Sequence, residues 1–202
     1  MKPADVDALR ECIATGGLAL FPSDTLYGLA TGPESEEGVR RLYQLKGRPP
    51  RRPCAVMFFD RDEALATLAE LGPRTRAALQ RLLPGPVTLV LPNPLRLYPL
   101  ACGPRPERLG IRVPELAGAL EPLGATGRPV LQSSANRSGG ADARRLEDVD
   151  PGVRAGADVR LDAGELAGTP STVVDLASYE EDGGFEVLRE GALPAARIAA
   201  EL

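Results

Sequence analysis

The best candidates for chemistry in this chain are two polar turn segments that contain its scarcest residue types. Lys46 is one of only two lysines among 24 basic residues, and it begins the sequence Lys46-Gly47-Arg48-Pro49. Asn136 is one of only two asparagines, and it lies in a second turn, residues 133–139. A lysine ammonium is a compact point charge, whereas the guanidinium of arginine is a planar fork. The two turns are therefore candidate anion-binding sites, although chance and ordinary turn preferences explain the same counts equally well.

The first of these turns concentrates positive charge in a stiff frame. Residues 46–52 carry four basic side chains, Arg48 and Arg52 among them, and prolines stand at positions 49, 50 and 53. Cations that are already ordered lose less entropy when they bind a carboxylate or a polyphosphate. We therefore expect an anion-binding loop here. A merely solvated basic loop is the alternative.

Two further turns carry small polar groups. Residues 22–29 bring Ser23, Asp24 and Thr25 together in a tight turn, which would also suit a simple capped turn. Residues 133–139 follow a predicted strand and end in glycine, a combination that can form an anion-binding nest of backbone amides. The second turn is not a phosphate-binding P-loop, because the required glycine spacing and the following lysine are missing.

Arg112 lies inside the apolar strand predicted for residues 109–113. An unpaired guanidinium in such a strand would be costly, because burial removes its hydration. Two interpretations remain open. Arg112 either pairs with an internal carboxylate or faces a cleft and binds an anionic ligand.

Composition limits the chemistry further. The 202 residues include no histidine, which excludes Ser-His-Asp and Cys-His catalysis and zinc sites with imidazole ligands. The formal net charge of −4 weighs against a protein whose main role is to grip nucleic acid. Three cysteines without Cys-x-x-Cys spacing predict buried thiols in a reducing cytoplasm. No apolar stretch is long enough to span a bilayer, so we expect no membrane partner.

Hydrophobic patterning predicts the elements that must position these segments. Strands and helices intermix without strict alternation, which favours one α/β domain over residues 1–202, with an open mixed sheet and flanking helices. Strands are predicted at 18–21, 54–59, 87–91, 109–113, 130–132, 159–161, 171–175 and 185–189. Helices are predicted at 6–13, 34–45, 60–69, 73–83, 114–123 and 194–202, with a surface loop at 92–108.

Six of the segments, taken in order, resemble the YrdC-like threonylcarbamoyl-AMP synthase family. The family pattern runs Pro-Thr-Asp-Thr…Tyr-Gly-Leu, Lys-x-Arg-Pro, Pro-Gly-Pro-x-Thr, Arg-Val-Pro, Ser-x-Asn with Ser-Gly, and Ser-Thr-Val…Asp. The matching segments here are Pro22 to Leu29, Lys46 to Pro49, Pro84 to Thr88, Arg112 to Pro114, Ser134 to Gly139 and Ser171 to Asp175.

The resemblance implies a twisted open sheet of the YrdC/RibB-like type, which curves around a concave basic cavity. It also implies a nucleotidyltransferase that converts L-threonine, bicarbonate (or carbon dioxide) and ATP into threonylcarbamoyl-adenylate and pyrophosphate. The product would feed the threonylcarbamoyladenosine modification of tRNA through a separate transferase complex, and weak direct contact with tRNA is compatible with it. Magnesium is expected to arrive with ATP, because no cluster of acids in the sequence is suited to hold it.

The same resemblance implies roles for individual residues. Lys46 and Arg48 would act in catalysis by neutralising the carbonate species and the triphosphate. The residues expected to bind ATP are Arg48, Arg52, Ser134, Asn136, Asp142 and Arg189. The residues expected to bind threonine are Thr25, Tyr27, Arg112, Gln132 and Thr172. No resident metal site is expected.

Four positions depart from the family pattern. Ser23 replaces the commoner threonine, which is a mild change. Arg52 stands where relatives often carry asparagine, Met57 where some carry histidine near the threonine, and Arg108 where a threonine often helps to hold ATP. Two other functions stay open: an RNA-binding module that uses the same concave surface, and a paralogue that acts on another acid or nucleotide. The acidic total and the lack of aromatics in the basic segments count against RNA binding.

Overall fold

One mixed β-sheet of nine strands forms the centre of the protein in the computed structural model, which describes residues 1–49 and 52–202. The strands are β1 (Ala19–Pro22), β2 (Tyr27–Thr31), β3 (Ala55–Met57), β4 (Val87–Pro92), β5 (Arg108–Arg112), β6 (Val130–Ser134), β7 (Val159–Arg160), β8 (Thr172–Asp175) and β9 (Glu186–Arg189). Across the sheet they follow the order β7-β1-β2-β6-β3-β5-β4-β8-β9. Both parallel and antiparallel neighbours occur, so the predicted open mixed sheet is confirmed.

Helices flank this sheet and supply much of its core. They are α1 (Pro3–Ala14), α2 (Glu36–Lys46), α3 (Arg61–Thr67), α4 (Pro73–Leu82), α5 (Pro99–Cys102), α6 (Pro151–Gly156), α7 (Tyr179–Asp182) and α8 (Ala195–Glu201). Apolar residues of α2, α3 and α4 pack with the buried face of the central strands in one large cluster. Because apolar burial is the main favourable term in folding, this cluster contributes much of the free energy that holds the helices against the sheet.

The local sequence defines both ends of α2. The Ser35 side chain caps its first turn by accepting a hydrogen bond from the backbone N–H of Gly38 at 3.1 Å. Gly47 ends the helix with φ of +58°, a left-handed conformation that glycine adopts without a steric penalty. The chain therefore turns sharply at Gly47, between Lys46 and Arg48, and the side chains of these two residues point in different directions.

Strand β5 shows how the sheet separates core from site. Leu109 and Ile111 are fully buried on the helix-covered face. Arg108, Gly110 and Arg112 alternate with them, because successive side chains of a strand point to opposite faces. The predicted strand therefore carries its polar residues on one face and its apolar residues on the other.

Two elements differ from the sequence-based expectation. Residues 22–29 were expected to form a turn, but Tyr27–Thr31 is a completely buried strand in the middle of the sheet. The helix expected at 114–123 is instead a 3₁₀ segment at Gly118–Thr126. Pro122 lies inside that segment and supplies no N–H, which weakens an α-helical ladder.

Smaller differences concern short elements. The sequence did not predict α6 or α7, and the expected loop at 92–108 contains α5. Another 3₁₀ turn occupies Leu146–Asp148. None of the helices within residues 1–49 and 52–202 has the length and apolar character needed to cross a membrane. A single domain over residues 1–202 stays a prediction, which the continuous sheet favours.

Candidate functional site

A cavity of about 340 Å³ opens on the polar face of the sheet. Its size lies within the range of roughly 300–1,000 Å³ that is typical of small-molecule sites. Its lining includes the five arginines Arg48, Arg105, Arg108, Arg112 and Arg189 and the two aspartates Asp142 and Asp175. Arginine thus outnumbers aspartate around the cavity, which favours the predicted basic character.

The lining follows the two-residue period of the strands. Strand β8 and the residue before it contribute Ser171, Val173 and Asp175, whereas β4 contributes Thr88 and Val90. The intervening side chains point to the opposite face. The cavity floor is therefore the exposed face of the sheet itself, and each strand adds every second side chain to it.

Arg112 both pairs with an internal carboxylate and faces a cleft, so the two interpretations left open by the sequence both apply. It lines the cavity, and its Nη2 also donates to Oδ1 of the buried Asp24 across 2.6 Å. The same nitrogen lies 3.3 Å from the hydroxyl of Thr25. Burial lowers the pKa of Arg112, and Asp24 opposes that effect. Burial likewise raises the pKa of Asp24 against the influence of Arg112.

The turn at residues 23–26, between β1 and β2, holds these groups in place. The hydroxyl of Ser23 donates to the backbone carbonyl of Leu26 at 2.8 Å and lies 3.0 Å from the hydroxyl of Thr25. The backbone N–H of Glu115 donates to the second carboxylate oxygen of Asp24 at 3.2 Å. Thr25 therefore lines the cavity from a turn that is hydrogen-bonded on both sides.

Lys46 occupies a different position from the one expected. It is only 2% exposed and is not among the residues that line the cavity. Its ammonium donates to the backbone carbonyl of Ser134, to the carbonyl of Asn136 at 2.7 Å and to the Asn136 side-chain oxygen at 2.9 Å. Burial lowers its pKa from 10.5 to about 8, and Arg48 adds to the decrease. All three ammonium donors are thus used within the protein.

The turn that Lys46 holds is itself closely bonded. The hydroxyl of Ser134 donates to Oδ1 of Asn136 at 2.8 Å. The Asn136 amide donates to the carbonyl of Gly140 at 2.7 Å and to the carboxylate of Asp142 at 3.1 Å. Ser134 and Asp142 line the cavity, whereas Asn136 lies behind them. Two of the three ATP ligands predicted in this turn are therefore on the wall, and the third supports them.

Among the described cations of the basic segment, Arg48 is the one that lines the cavity. Its Nη2 donates to the carbonyl of Pro53 at 2.6 Å, and its guanidinium lies 5.9 Å from the centre of the Tyr43 ring. Arg52 is exposed and does not line the cavity. Pro50 and Arg51, which belong to the same predicted loop, lie outside the described residues.

Thr88 on β4 and Ser171 just before β8 contribute a second group of hydroxyls. Thr88 and Ser171 lie with their hydroxyl oxygens 2.9 Å apart, and Arg189 donates to the backbone carbonyl of Ser171 at 2.7 Å. All three residues line the cavity. Thr172, which was expected to bind threonine, is placed elsewhere: its hydroxyl donates to the carbonyl of Leu193 at 2.6 Å on the opposite face. The alternation of β8 makes Ser171 the wall residue instead.

Tyr27 and Gln132 both line the cavity, but only Gln132 offers an uncommitted polar group toward it in the described structure. The hydroxyl of Tyr27 lies 2.7 Å from the carboxylate of Asp162 and 2.9 Å from the carbonyl of Gly164. Burial raises the pKa of Tyr27 to about 12. Its hydroxyl therefore fastens the turn at 162–164, and its side chain is fully buried in the large core cluster.

Sequence reasoning missed Arg105 and Asp175 as wall residues and treated Arg108 only as a departure from the family pattern. Arg108 forms an ion pair with Asp175 within the cavity lining. The two-residue period of β5 and β8 would have placed Arg108 on the face of Arg112, and Asp175 on the face of Ser171. Arg105 gives no such signal, because it lies in an irregular loop before β5.

A family model, Sua5_yciO_yrdC, described as "Telomere recombination", matches residues 11–191. This chain belongs to the Sua5/YciO/YrdC family. A threonylcarbamoyl-AMP synthase of Chromohalobacter salexigens is 33% identical over 179 residues, which cover 86% of this chain and 95% of that protein.

Two further matches, one to a sequence and one to a solved structure, come from Pyrococcus abyssi. Its threonylcarbamoyl-AMP synthase is 29% identical over 187 residues, and the alignment covers 92% of this chain but only 54% of that longer protein. The crystal structure of P. abyssi Sua5 complexed with L-threonine superposes with a TM-score of 0.82 at 29% identity. The superposition covers 100% of this chain and 58% of the other. This chain therefore has the same fold as a solved structure of the family, as the resemblance implied.

Proposed function

We propose that this protein is an L-threonylcarbamoyladenylate synthase. One observation carries the proposal: every one of the six family-like segments contributes at least one residue to the wall of a single cavity. The residues are Thr25, Arg48, Thr88, Arg112, Ser134 and Ser171. Turns that are distant in the sequence are thus brought to one place, and relatives of this chain are named threonylcarbamoyl-AMP synthase.

The proposed reaction makes two bonds and needs no protein nucleophile. The amine of threonine adds to carbon dioxide derived from bicarbonate and loses a proton, which gives threonine carbamate. A carbamate oxygen then attacks the α-phosphorus of ATP, the bond between the α-phosphorus and the bridging oxygen breaks, and pyrophosphate leaves. Holding two anions in line and stabilising their charge supplies most of the catalysis in such transfers.

The wall residues suit this task. Arg112, held by Asp24 and Thr25, offers a fixed guanidinium for the carboxylate of threonine. Arg48 offers positive charge to the carbonate species and the triphosphate, and it is held in place by the carbonyl of Pro53. Ser134 and Asp142 present a hydroxyl and a carboxylate from the neighbouring turn.

Lys46 takes a supporting role in the proposal. Its ammonium braces the turn that presents Ser134, because three acceptors of Ser134 and Asn136 converge on it. Direct contact with a reactant would require it to exchange one of these bonds. Asn136 acts in the same way, through Asp142.

The remaining partners follow from the reaction. Magnesium is part of the nucleotide substrate, as MgATP. The product is a mixed anhydride that hydrolyses readily, so it would pass to a tRNA threonylcarbamoyl transferase complex, and we place both steps in the cytoplasm. Direct contact with tRNA would be weak, since the formal net charge of the chain is −4.

The proposal is tested by incubating the pure protein with MgATP, bicarbonate and each amino acid in turn while pyrophosphate release is measured. We expect release that depends on both bicarbonate and threonine. Release with another amino acid would identify a paralogue of different specificity. Filter binding to tRNA over a salt series, performed alongside, separates the RNA-binding alternative: tight, salt-sensitive binding without pyrophosphate release would replace our proposal.

A further inference from the structure

Asn93 is the second of the two asparagines in the chain, and the proposed reaction does not use it. It follows β4 directly, is only 2% exposed and is not among the residues that line the cavity. A buried side-chain amide is costly unless its donors and its acceptor are all hydrogen-bonded. The groups that this amide bonds therefore indicate what the residue does.

The amide of Asn93 connects two irregular segments. Its nitrogen donates to the carbonyl of Leu97 and to the carbonyl of Pro106, each at 2.9 Å, and its oxygen accepts from the backbone N–H of Leu97 at 2.9 Å. The backbone N–H of Asn93 donates to the carbonyl of Glu107 at 2.8 Å. Two of these bonds hold the loop at 94–98, and the other two hold the segment just before β5.

The loop at 94–98 has a strained backbone. Arg96 has φ of +53° and Tyr98 has φ of +49°, a left-handed conformation that residues other than glycine rarely adopt. Leu97 lies between them, and its N–H and its carbonyl both bond to the Asn93 amide. Such strain persists only where the surrounding contacts hold it. Asn93 therefore fixes this loop and, at the same time, the segment on its other side.

The segment before β5 has few hydrogen bonds of its own. Residues 103–107 join α5 to β5 without forming a helix or a strand. Two of these residues are proline, and a proline has no backbone N–H to donate. The N–H of Arg105 reaches the carbonyl of Cys102 only at 3.4 Å. The bonds at 2.8 and 2.9 Å from Asn93 are therefore the shortest that this segment accepts within residues 1–49 and 52–202.

Two cations of the cavity wall depend on this segment. Arg105 lines the cavity from within it, and Arg108 lines the cavity from the first position of β5. The backbone N–H of Arg108 donates to the carbonyl of Arg105 at 3.0 Å, which places both arginines in one turn. The two residues between them, Pro106 and Glu107, are the ones whose carbonyls Asn93 holds. A shift of these carbonyls would move both guanidinium groups.

An ordered backbone matters most beneath long side chains. An arginine loses rotamer freedom when it binds an anion, so a fixed Cα position lowers the total entropy cost of binding. Arg105 is exposed, whereas Arg108 is also bonded through its side chain to Asp175. Support of the backbone is therefore most important for Arg105.

We propose that Asn93 is a positioning residue, which acts from outside the cavity and sets where Arg105 and Arg108 stand in its wall. This inference rests on the proposed function, in which the cavity takes anionic reactants. MgATP carries the most negative charge among them, so its binding should respond most strongly to a displacement of the two cations.

The test titrates MgATP into the protein by calorimetry and follows urea unfolding of the same samples. We expect Asn93→Ala to weaken MgATP binding about 10-fold and to lower the urea midpoint. Thr126→Val is the matched control, because Thr126 is also buried, lies outside the cavity wall and donates its hydroxyl to the carbonyl of Leu123 at 2.6 Å. It should lower the urea midpoint and leave MgATP binding unchanged. Unchanged MgATP binding in Asn93→Ala would overturn the inference.

A second comparison separates positioning from a general loss of structure. Asn93→Ala is combined with Arg105→Met and, separately, with Arg108→Met, so that one of the two cations is absent in each protein. The urea midpoint should fall as before, whereas the effect of Asn93→Ala on MgATP binding should shrink from about 10-fold to about threefold. A full 10-fold effect in both combinations would contradict the inference, because the effect would then not pass through the two arginines.

Asn93→Ser decides the question if Asn93→Ala does not fold. Its hydroxyl keeps one donor in place of two, so we expect a smaller loss of MgATP affinity, and unchanged affinity would overturn the inference. Titration without turnover also separates this inference from the proposed function. Coupling between Asn93 and the two arginines supports the inference even if no adenylate forms, and a wild type that does not bind MgATP overturns both proposals. Where adenylate forms, Asn93→Ala should raise the KM for ATP and change kcat less than about twofold.

Discussion

The ammonium of Lys46 donates to the side-chain oxygen of Asn136 across 2.9 Å, which joins two of the scarcest residue types in the chain. The bond connects the end of α2 to the turn after β6. The backbone agrees with it, because the N–H of Ser138 donates to the carbonyl of Lys46 at 2.8 Å. A turn on the cavity wall is therefore held in place by a buried charge, and its order depends on the protonation of that charge.

Lys46 should make folding stability depend on pH. Its pKa is 10.5 when unfolded and about 8 when folded. Between these values the unfolded chain binds a proton that the folded protein has released, so stability rises with pH; below about pH 8 the burial penalty is complete. We expect the free energy of unfolding of the wild type to rise relative to Lys46→Met by about 3 kcal/mol across this window. Urea unfolding at several pH values measures it.

The other lysine provides the control. Lys2 is exposed, and Lys2→Met should follow the wild type at every pH. A stability difference between wild type and Lys46→Met that stays constant with pH would show that Lys46 does not titrate in this range.

Loss of the same proton should weaken nucleotide binding. Above about pH 8 the amine of Lys46 has one donor fewer for the turn that presents Ser134, so the KM for ATP should rise with pH in the wild type. Lys46→Met should bind ATP about 10–100-fold more weakly at neutral pH, without this pH dependence. Measuring KM against pH for both proteins checks the prediction, and parallel profiles would contradict it.

Arg112→Ala should separate the two substrates. Removing a charge-assisted pair to the threonine carboxylate costs about 1.5–3 kcal/mol, so the KM for threonine should rise roughly 10–100-fold and more than the KM for ATP. Because the change also leaves Asp24 buried without its partner, Arg112→Lys serves as a second variant that keeps the charge but loses the fork. A larger effect on ATP than on threonine would assign Arg112 to the nucleotide.

Removing the hydroxyl of Ser171 and removing that of Thr172 should have different effects, although the two residues are neighbours in the sequence. Ser171→Ala removes a hydroxyl from the cavity wall and should raise the KM for one of the two substrates, threonine or ATP, with little change in stability. Thr172→Val removes the bond to Leu193 and should cost about 1 kcal/mol of stability while both KM values stay constant. Steady-state kinetics and thermal unfolding of the two variants, run side by side, check the assignment. A changed threonine KM in Thr172→Val would restore Thr172 to the site.

Tyr27→Phe should affect folding rather than recognition. The hydroxyl holds the turn at 162–164 through Asp162 and Gly164, so its removal should lower the free energy of unfolding by about 1–3 kcal/mol. The ring stays in the core cluster, and we expect the threonine KM to be unchanged. Urea unfolding together with threonine titration distinguishes the outcomes; a normal stability with a raised KM would show that the hydroxyl contacts the ligand.

Much of the fold was predictable because most strands carry a clear apolar pattern. Strand β2 was missed, since Tyr27–Thr31 is short, contains glycine and follows a turn-like string, and only its pairing with β1 and β6 makes it a strand. The 3₁₀ segment was mistaken for a helix because its apolar spacing resembles one, whereas Pro122 interferes with the α-helical ladder.

The site was predictable as a set of segments but not always as side chains. Which member of Ser171-Thr172 faces the cavity depends on the strand register, and the sequence alone does not fix that register. Lys46 and Arg48 differ for a similar reason, because the left-handed turn at Gly47 sends one inward and the other to the wall. Asp24 was passed over as part of a turn, since its partner lies 88 residues away.

The most direct measurement follows the label from radioactive bicarbonate in the presence of MgATP and L-threonine. If the cavity holds both anions in line, label should appear in an adenylate that also contains threonine, in a one-to-one ratio with pyrophosphate, and Arg48→Ala should reduce it sharply. Pyrophosphate release without incorporated label, or label that appears without threonine, would contradict the account.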